Sequence, residues 1–277
     1  MTNLIKLNLA RNCLKYIIKA YGIKELFIPY YICPVVWLAA RQVNCRIKFY
    51  QIDENFMPIN KFPKNAFILY VNYFGLCDKN CKNLTAKYQN IIIDNSQSFY
   101  SKPMGLASFN SLRKFFKVQN GAYLYINKII DKRFEQDEQK FNPVLFHENI
   151  EQFIKNELTL NQATSIKEIS PNIKNILKSI DLEKDKSQRL KIYNEYDKTF
   201  DKFNRIKLKT SQENIPYCYP LNTEDKNIRK ILAEEFILQQ LWKDLPQNIC
   251  PSYNIGQTIA LPLNDIEYAK KIITHFQ

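Results

Sequence analysis

Asp94 and Lys114 are the residues whose types and spacing point most directly to chemistry. Asp94 lies in the apolar run IIIDNSQSF (91–99), and Lys114 follows in SFNSLRKFFKVQNGAYLY (108–125), between two strand-like segments. A lysine amine can condense with an aldehyde to form a Schiff base. A carboxylate can keep a pyridine nitrogen protonated, so that the ring draws electrons away from a reacting centre. An amine and a carboxylate facing one another across a cleft are what pyridoxal-phosphate chemistry requires. Each residue also has a plain alternative, an aspartate ending a strand and a lysine on the surface. The surrounding elements must decide between the two.

Those elements alternate. LARNCLKYIIKAY (9–21) has apolar residues at helical spacing and is stopped by Gly22; PVVWLAARQV (34–43) is a helix with proline in its first turn. ELFIP (25–29), CRIKFYQID (45–53), AFILYVNYFG (66–75) and NIIID (90–94) read as short strands, apolar on both faces. Strands of this kind separated by helices imply an α/β fold with a mostly parallel sheet flanked by helices. ASFNSL (107–112) and GAYLYI (121–126) read as two more strands, with Lys114 in the turn between them. Ligands of open sheets bind beyond the carboxyl ends of the strands, where Pro29, Gly75 and Asp94 fall.

The second half is more polar. FHENIEQFIKNEL (146–158) reads as a helix, and residues 170–203 as one long helix or as two with a break near Asp185. IPYCYPL (215–221), DKNIRKILAEEF (225–236), TIALPL (258–263) and DIEYAKKIITHF (265–276) then give strand, helix, strand and helix. The expected division is a large domain over 1–204, ending in the long connecting helix, and a small C-terminal α+β domain over 205–277.

Composition narrows the function classes. The chain has 277 residues, 45% of them hydrophobic, enough for a substantial core. The net charge of +13 invites a nucleic-acid reading, but the excess is mostly lysine spread along the chain, without a clustered patch or a recognisable module. The same field would draw in an anionic small substrate. No apolar run reaches the ~20 residues of a membrane span, so no membrane insertion is expected. The N-terminus does not read as a signal peptide. Seven scattered cysteines without a disulfide framework fit a reducing, cytoplasmic setting. Cys77 and Cys81 could suggest a metal pair, but His147 and His275 are the only histidines and neither has a partner at ligand spacing, so no metal is expected. A cysteine nucleophile lacks a base, because His147 sits in a charged helix where exposure is the default. Trp37 and Trp242 are expected to pack, although Trp242 could line a cleft.

Taken in order, these segments resemble the DegT/DnrJ/EryC1/StrS family, the sugar aminotransferases of pyridoxal-phosphate fold type I. LARNCLKYIIKAYGI resembles the family's small-residue–Arg–x–x–Leu first helix, and FIPYYICPVVWLAARQVNCRIKFYQID its Pro-x-Tyr-x-Cys-Pro strand–helix–strand unit. VNYFGL is similar to its His-x-Phe-Gly segment, IIIDNSQSF to its Asp-x-x-Gln element, and SLRKFFKVQNGAYL to its lysine loop. RLKIYNEY, IPYCYPL, QQLWKDLP and IALPLN are similar to later family segments, so the likeness runs over nearly the whole chain.

The resemblance implies a pyridoxal 5'-phosphate enzyme, with Lys114 carrying the cofactor and then moving a proton as a base. It implies Asp94 on the pyridinium nitrogen and Gln97 against the ring hydroxyl. Ser111 or Ser108 would bind the phosphate, helped by the backbone around Arg11 and Asn12. Tyr30, Tyr31 or Cys33 would lie near the ring face. It further implies a nucleotide-linked keto-sugar substrate, an amino-acid donor, a homodimer, and a role in cell-surface polysaccharide or lipopolysaccharide biosynthesis. The chain departs from the pattern at Ala10 and at Gly121-Ala122, where the family has glycines, and lacks the Gly-x-Asn-x-Arg stretch between 127 and 170. Two other readings compete: a lapsed homologue that binds without turnover, and a basic nucleic-acid-binding protein.

Overall fold

The computed structural model describes residues 2–211, 213–243 and 250–277. Its first half builds one seven-stranded sheet from β1 (Asn3–Leu7), β2 (Glu25–Pro29), β3 (Arg46–Tyr50), β4 (Ile68–Val71), β5 (Ile91–Asn95), β6 (Ala107–Asn110) and β7 (Ala122–Ile126). The spatial order is β1-β7-β6-β5-β4-β2-β3. Neighbours from β3 to β6 run parallel, whereas β7 is antiparallel to both β6 and β1. The central strands β4, β5 and β6 are buried at every position, as expected where helices cover both faces.

Helices α1 (Ala10–Tyr21), α2 (Pro34–Arg41) and α3 (Asp78–Lys87) connect these strands. Gly22 ends α1 in the left-handed conformation at φ 66°, its N–H donating to the carbonyls of Ile18 and Lys19. Proline opens α2, where a missing N–H costs nothing.

The chain then forms α4 (Ile150–Gln162), α5 (Pro171–Lys178) and α6 (Leu182–Phe200). The 170–203 region is thus two helices, and the break falls at residues 179–181 rather than near Asp185. Asp181 supplies the reason, since its side chain accepts from Lys184 N–H and starts α6 afresh. Beyond it, β8 (Cys218–Leu221), α7 (Lys226–Glu235), β9 (Gln239–Gln240), β10 (Ile259–Pro262) and α8 (Ile266–His275) complete the chain. A second, antiparallel sheet of order β8-β10-β9 lies wholly within residues 205–277. Of the segment QQLWKDLP, residues 244–246 lie outside the described residues.

Two readings needed more than local pattern. AFILYVNYFG is a strand only to Val71, after which 73–75 form a tight turn with Phe74 and Gly75 both at positive φ. β1 carries little local signal, because at the sheet edge only Leu7 of its five residues is buried and pairing with β7 makes the strand. One hydrophobic cluster runs from Leu7 and Ile17 through the central strands to Tyr196, Leu261 and Ile273. A smaller cluster of Leu112, Phe115, Phe116, Val118, Ile169 and Ile173 lies beneath the loop that carries Lys114. Among the described residues no helix is long and apolar enough to cross a membrane.

Candidate active site

A cavity of about 300 Å³ opens at the carboxyl ends of the parallel strands. Val71 at the end of β4, Asp94 in β5, Ser96 and Gln97 just beyond it, Phe109 in β6 and Ser111 just after it all line it. Lys114 enters from the short turn 112–114 between β6 and β7, a turn held by Leu112, whose N–H donates to Gly121 O at 2.9 Å. Ala10 and Arg11 bring the start of α1 to the same wall.

Asp94 is buried, and its Oδ1 accepts from Ser96 N–H at 2.8 Å. Burial pushes its carboxyl above the usual range, while Lys114 and the Ser96 N–H offset part of that rise. Burial likewise pushes the Lys114 ammonium below its ordinary range, against the pull of Cys33 and Asp94. The two residues share a cavity but form no ion pair within 4.0 Å among the described residues. Lys114 Nζ sits instead over the Tyr217 ring, 5.7 Å from its centre. Gln97 is buried; its Oε1 accepts from Phe74 N–H at 2.9 Å, and its Nε2 has no partner. A buried amide N–H without an acceptor is costly, so this orphan marks a place where a ligand oxygen would be favoured.

The start of α1 adds free donors. Leu9, its N-cap, has no polar side chain to satisfy the first-turn N–H groups. Arg11 and Arg113 stand nearby, and each is already engaged within the chain. Arg11 Nη1 donates to Asn161 Oδ1 at 2.7 Å, and Arg113 pairs with Glu157 of α4. Burial, with Arg11 adding repulsion, pushes the Arg113 guanidinium down to about 10.

Asp94, Lys114, Gln97, Ser111 and Arg11 are therefore brought together, and of the three ring-face candidates Cys33 reaches the wall. Four expected residues are placed elsewhere. Ser108 is on the opposite face of β6 from Phe109, because successive strand residues alternate, and it is absent from the cavity lining. Asn12 has its N–H bonded to Leu9 O at 3.0 Å, and its side chain donates to Asn8 Oδ1 and Ser165 O. Tyr31 is buried in an aromatic cluster, against Tyr73 at 5.7 Å and Trp242 at 4.7 Å. Tyr30 stacks on Phe49.

The other wall was less visible in the sequence. Trp242 does line the cavity, as do Tyr217, Leu241, Gln239 and Asn264. His147, expected on the surface, is there too, with only 8% of its side chain exposed. The expectation failed because its partner Asp265 lies 118 residues further along the chain.

No protein-family model matches the chain, and no curated protein matches it. Solved structures do match. One is a DegT DnrJ EryC1 StrS aminotransferase from Brucella abortus, 14% identical, with a TM-score of 0.63 over 98% of this chain and 84% of that one. Another is Helicobacter pylori PseC, an aminotransferase involved in the biosynthesis of pseudoaminic acid, 15% identical, with a TM-score of 0.60 over 98% of this chain and 85% of that one. A third is NtdA from Bacillus subtilis with bound cofactor PMP, 14% identical, with a TM-score of 0.60 over 98% and 72%. The fold of this chain is the one these aminotransferases share, the pyridoxal-phosphate fold type I.

Proposed function

We propose that the chain is a pyridoxal-phosphate-dependent aminotransferase that moves an amino group from an amino acid to a nucleotide-linked keto-sugar, in the cytoplasm, for a cell-surface polysaccharide or lipopolysaccharide. The observation that carries the reading is that the Lys114 amine, the Asp94 carboxylate and the orphaned Gln97 amide line one cavity at the strand ends. The fold shared with sugar aminotransferases supports it.

Bound pyridoxal phosphate supplies a protonated ring that stabilises negative charge developing beside the substrate nitrogen. In this reading Asp94 holds the proton on the ring nitrogen, and Gln97 Nε2 donates to the ring hydroxyl. The free N–H groups at the start of α1 and the Ser111 hydroxyl take the phosphate. Lys114 would hold the cofactor, and its amine would take and return a proton at the substrate carbon. Its lowered proton affinity enlarges the neutral fraction available for that step. Two such chains forming a homodimer belong to the same reading.

One observation favours a second reading, a homologue that binds without turnover. Glu157 and Asn161 already engage the arginines that would face a phosphate. A single spectrum separates the two. The purified chain incubated with pyridoxal phosphate is expected to absorb near ~420 nm and to be bleached by borohydride, as a lysine Schiff base requires. Lys114→Ala is expected to remove the band while leaving the far-ultraviolet circular dichroism unchanged. A colourless wild type would overturn the enzyme and leave the binding homologue.

A further inference from the structure

His147 lines the cavity wall and has no part in the reading above. It lies in a turn just before α4, and its ring is fixed from two sides. Nε2 lies 2.9 Å from Asp265 Oδ2, and the ring stacks nearly flat on Tyr268, with centres 4.2 Å apart and planes 11° from parallel. Both partners are fixed in turn. Asp265 caps α8, its Oδ1 accepting from Tyr268 N–H at 2.9 Å. The Tyr268 hydroxyl is held by the backbone of Ile237, accepting from its N–H at 2.8 Å and donating to its carbonyl at 3.2 Å. Among the described residues no hydrogen bond reaches His147 Nδ1.

The chemistry of that free nitrogen follows from its partner. A carboxylate at Nε2 makes Nε2–H the donor, so the neutral ring presents a lone pair at Nδ1. Burial opposes the charge on Asp265, but hydrogen bonds from Tyr268 N–H and His147 hold its carboxyl below the usual range, so the aspartate remains an anion. The pair is then negative, or neutral when the ring is protonated, and neither state favours an anionic ligand. Gln239 and Asn264, which line the cavity from β9 and the end of β10, are uncharged. The lining cations Arg11, Arg113 and Lys114 belong to α1 and to the loop after β6.

We propose that His147, oriented by Asp265 and Tyr268, is a substrate-binding residue that accepts a hydrogen bond at Nδ1 from a hydroxyl of a sugar ring. This assigns the wall built by the second sheet to the sugar rather than to the nucleotide phosphates. The identity of the hydroxyl donor rests on the sugar aminotransferase reading, whereas the prepared acceptor does not.

Because His147 and His275 are the only histidines, ring signals in a ¹H–¹³C spectrum of the full chain can be assigned with His275→Gln. UDP-glucose, a non-reacting probe, is expected to shift the His147 signals saturably, and UDP alone is expected to leave them in place. Equal shifts with UDP, or no shift at millimolar UDP-glucose, would overturn the proposal. His147→Phe keeps an aromatic ring on Tyr268 while deleting the acceptor. It is expected to weaken UDP-glucose about tenfold, the scale of one hydrogen bond, without changing UDP. A His147 response in a chain that never develops the visible band would remove the aminotransferase reading and leave this site standing.

Discussion

Asp94 and Lys114 are each held in a place that disfavours their charge. Asp94 has a raised pKa and Lys114 a lowered one, with burial the leading cause for both. A carboxyl with a raised folded pKa binds more protons when folded, so its charge costs stability at pH values above that pKa. A lysine with a lowered folded pKa costs stability below that pKa, and the cost fades as pH climbs towards the unfolded value of ~10.4. Asp94→Asn and Lys114→Met are therefore each expected to raise the melting temperature of the cofactor-free chain at pH 7 by a few degrees, the usual scale for about 1 kcal/mol. Calorimetry of the two variants checks this, and a fall in both would show the charges to be stabilising. The pair was legible in the sequence because each residue sits at a fixed offset from a strand. His147 was not, since its meaning depends on Asp265 and Tyr268, which only the folded chain brings to it.

At the scale of the element, α6 clamps the loop that carries the lysine. Arg189, fully buried, is 2.8 Å from Asp185 on its own helix and donates to Phe115 O at 2.8 Å and to Tyr217 O at 3.3 Å. Phe115 follows Lys114 directly, and the Tyr217 ring lies under the lysine amine. Arg189→Met leaves Asp185 with only the Tyr100 hydroxyl as a donor and strands two carbonyls, and is expected to cost roughly 3 kcal/mol in denaturant unfolding, the lower end for a broken buried pair. Gly75 constrains the neighbouring turn. At φ +77° a Cβ there would come within 2.7 Å of the carbonyl oxygens of both Gln97 and Ile215. Gly75→Ala is expected to lower stability by about 2 kcal/mol or more and to weaken cofactor retention, because Gln97 must move. Absorbance in the visible band after gel filtration measures the second effect. α1 offers a pH test. Lys15 has its pKa lowered to about 8 by burial and by Arg11 and Lys19. The folded chain then binds fewer protons than the unfolded one between about 8 and 10.5, so wild-type stability gains from this residue as pH rises. Lys15→Met lacks this gain, so its stability relative to wild type is expected to fall across that window in denaturant unfolding at successive pH values. These elements were mostly readable because apolar runs and caps are local signals. The break at Asp181 and the strand β1 were not, since capping and edge pairing decided them.

At the scale of the molecule, the charge of +13 sets up a field that favours anionic substrates. Under the proposed function, kcat/KM for a nucleotide-linked sugar is expected to fall as salt rises from about 50 to about 500 mM and the screening length shortens, while kcat holds nearly constant. A flat profile would assign the lysines to solubility alone. The parallel sheet was legible as a whole because its central strands are apolar on both sides. The second sheet was legible only in part, since β9 is two residues long and polar.

The hydrophobic cluster that continues from the seven strands into β8, β10 and α8 has a thermodynamic consequence. Neither sheet can shed its neighbour without wetting side chains that both depend on. Heat should therefore melt the chain in one step, with tryptophan emission, which reports Trp242 near the second sheet and Trp37 on α2, tracking the loss of helix at every temperature.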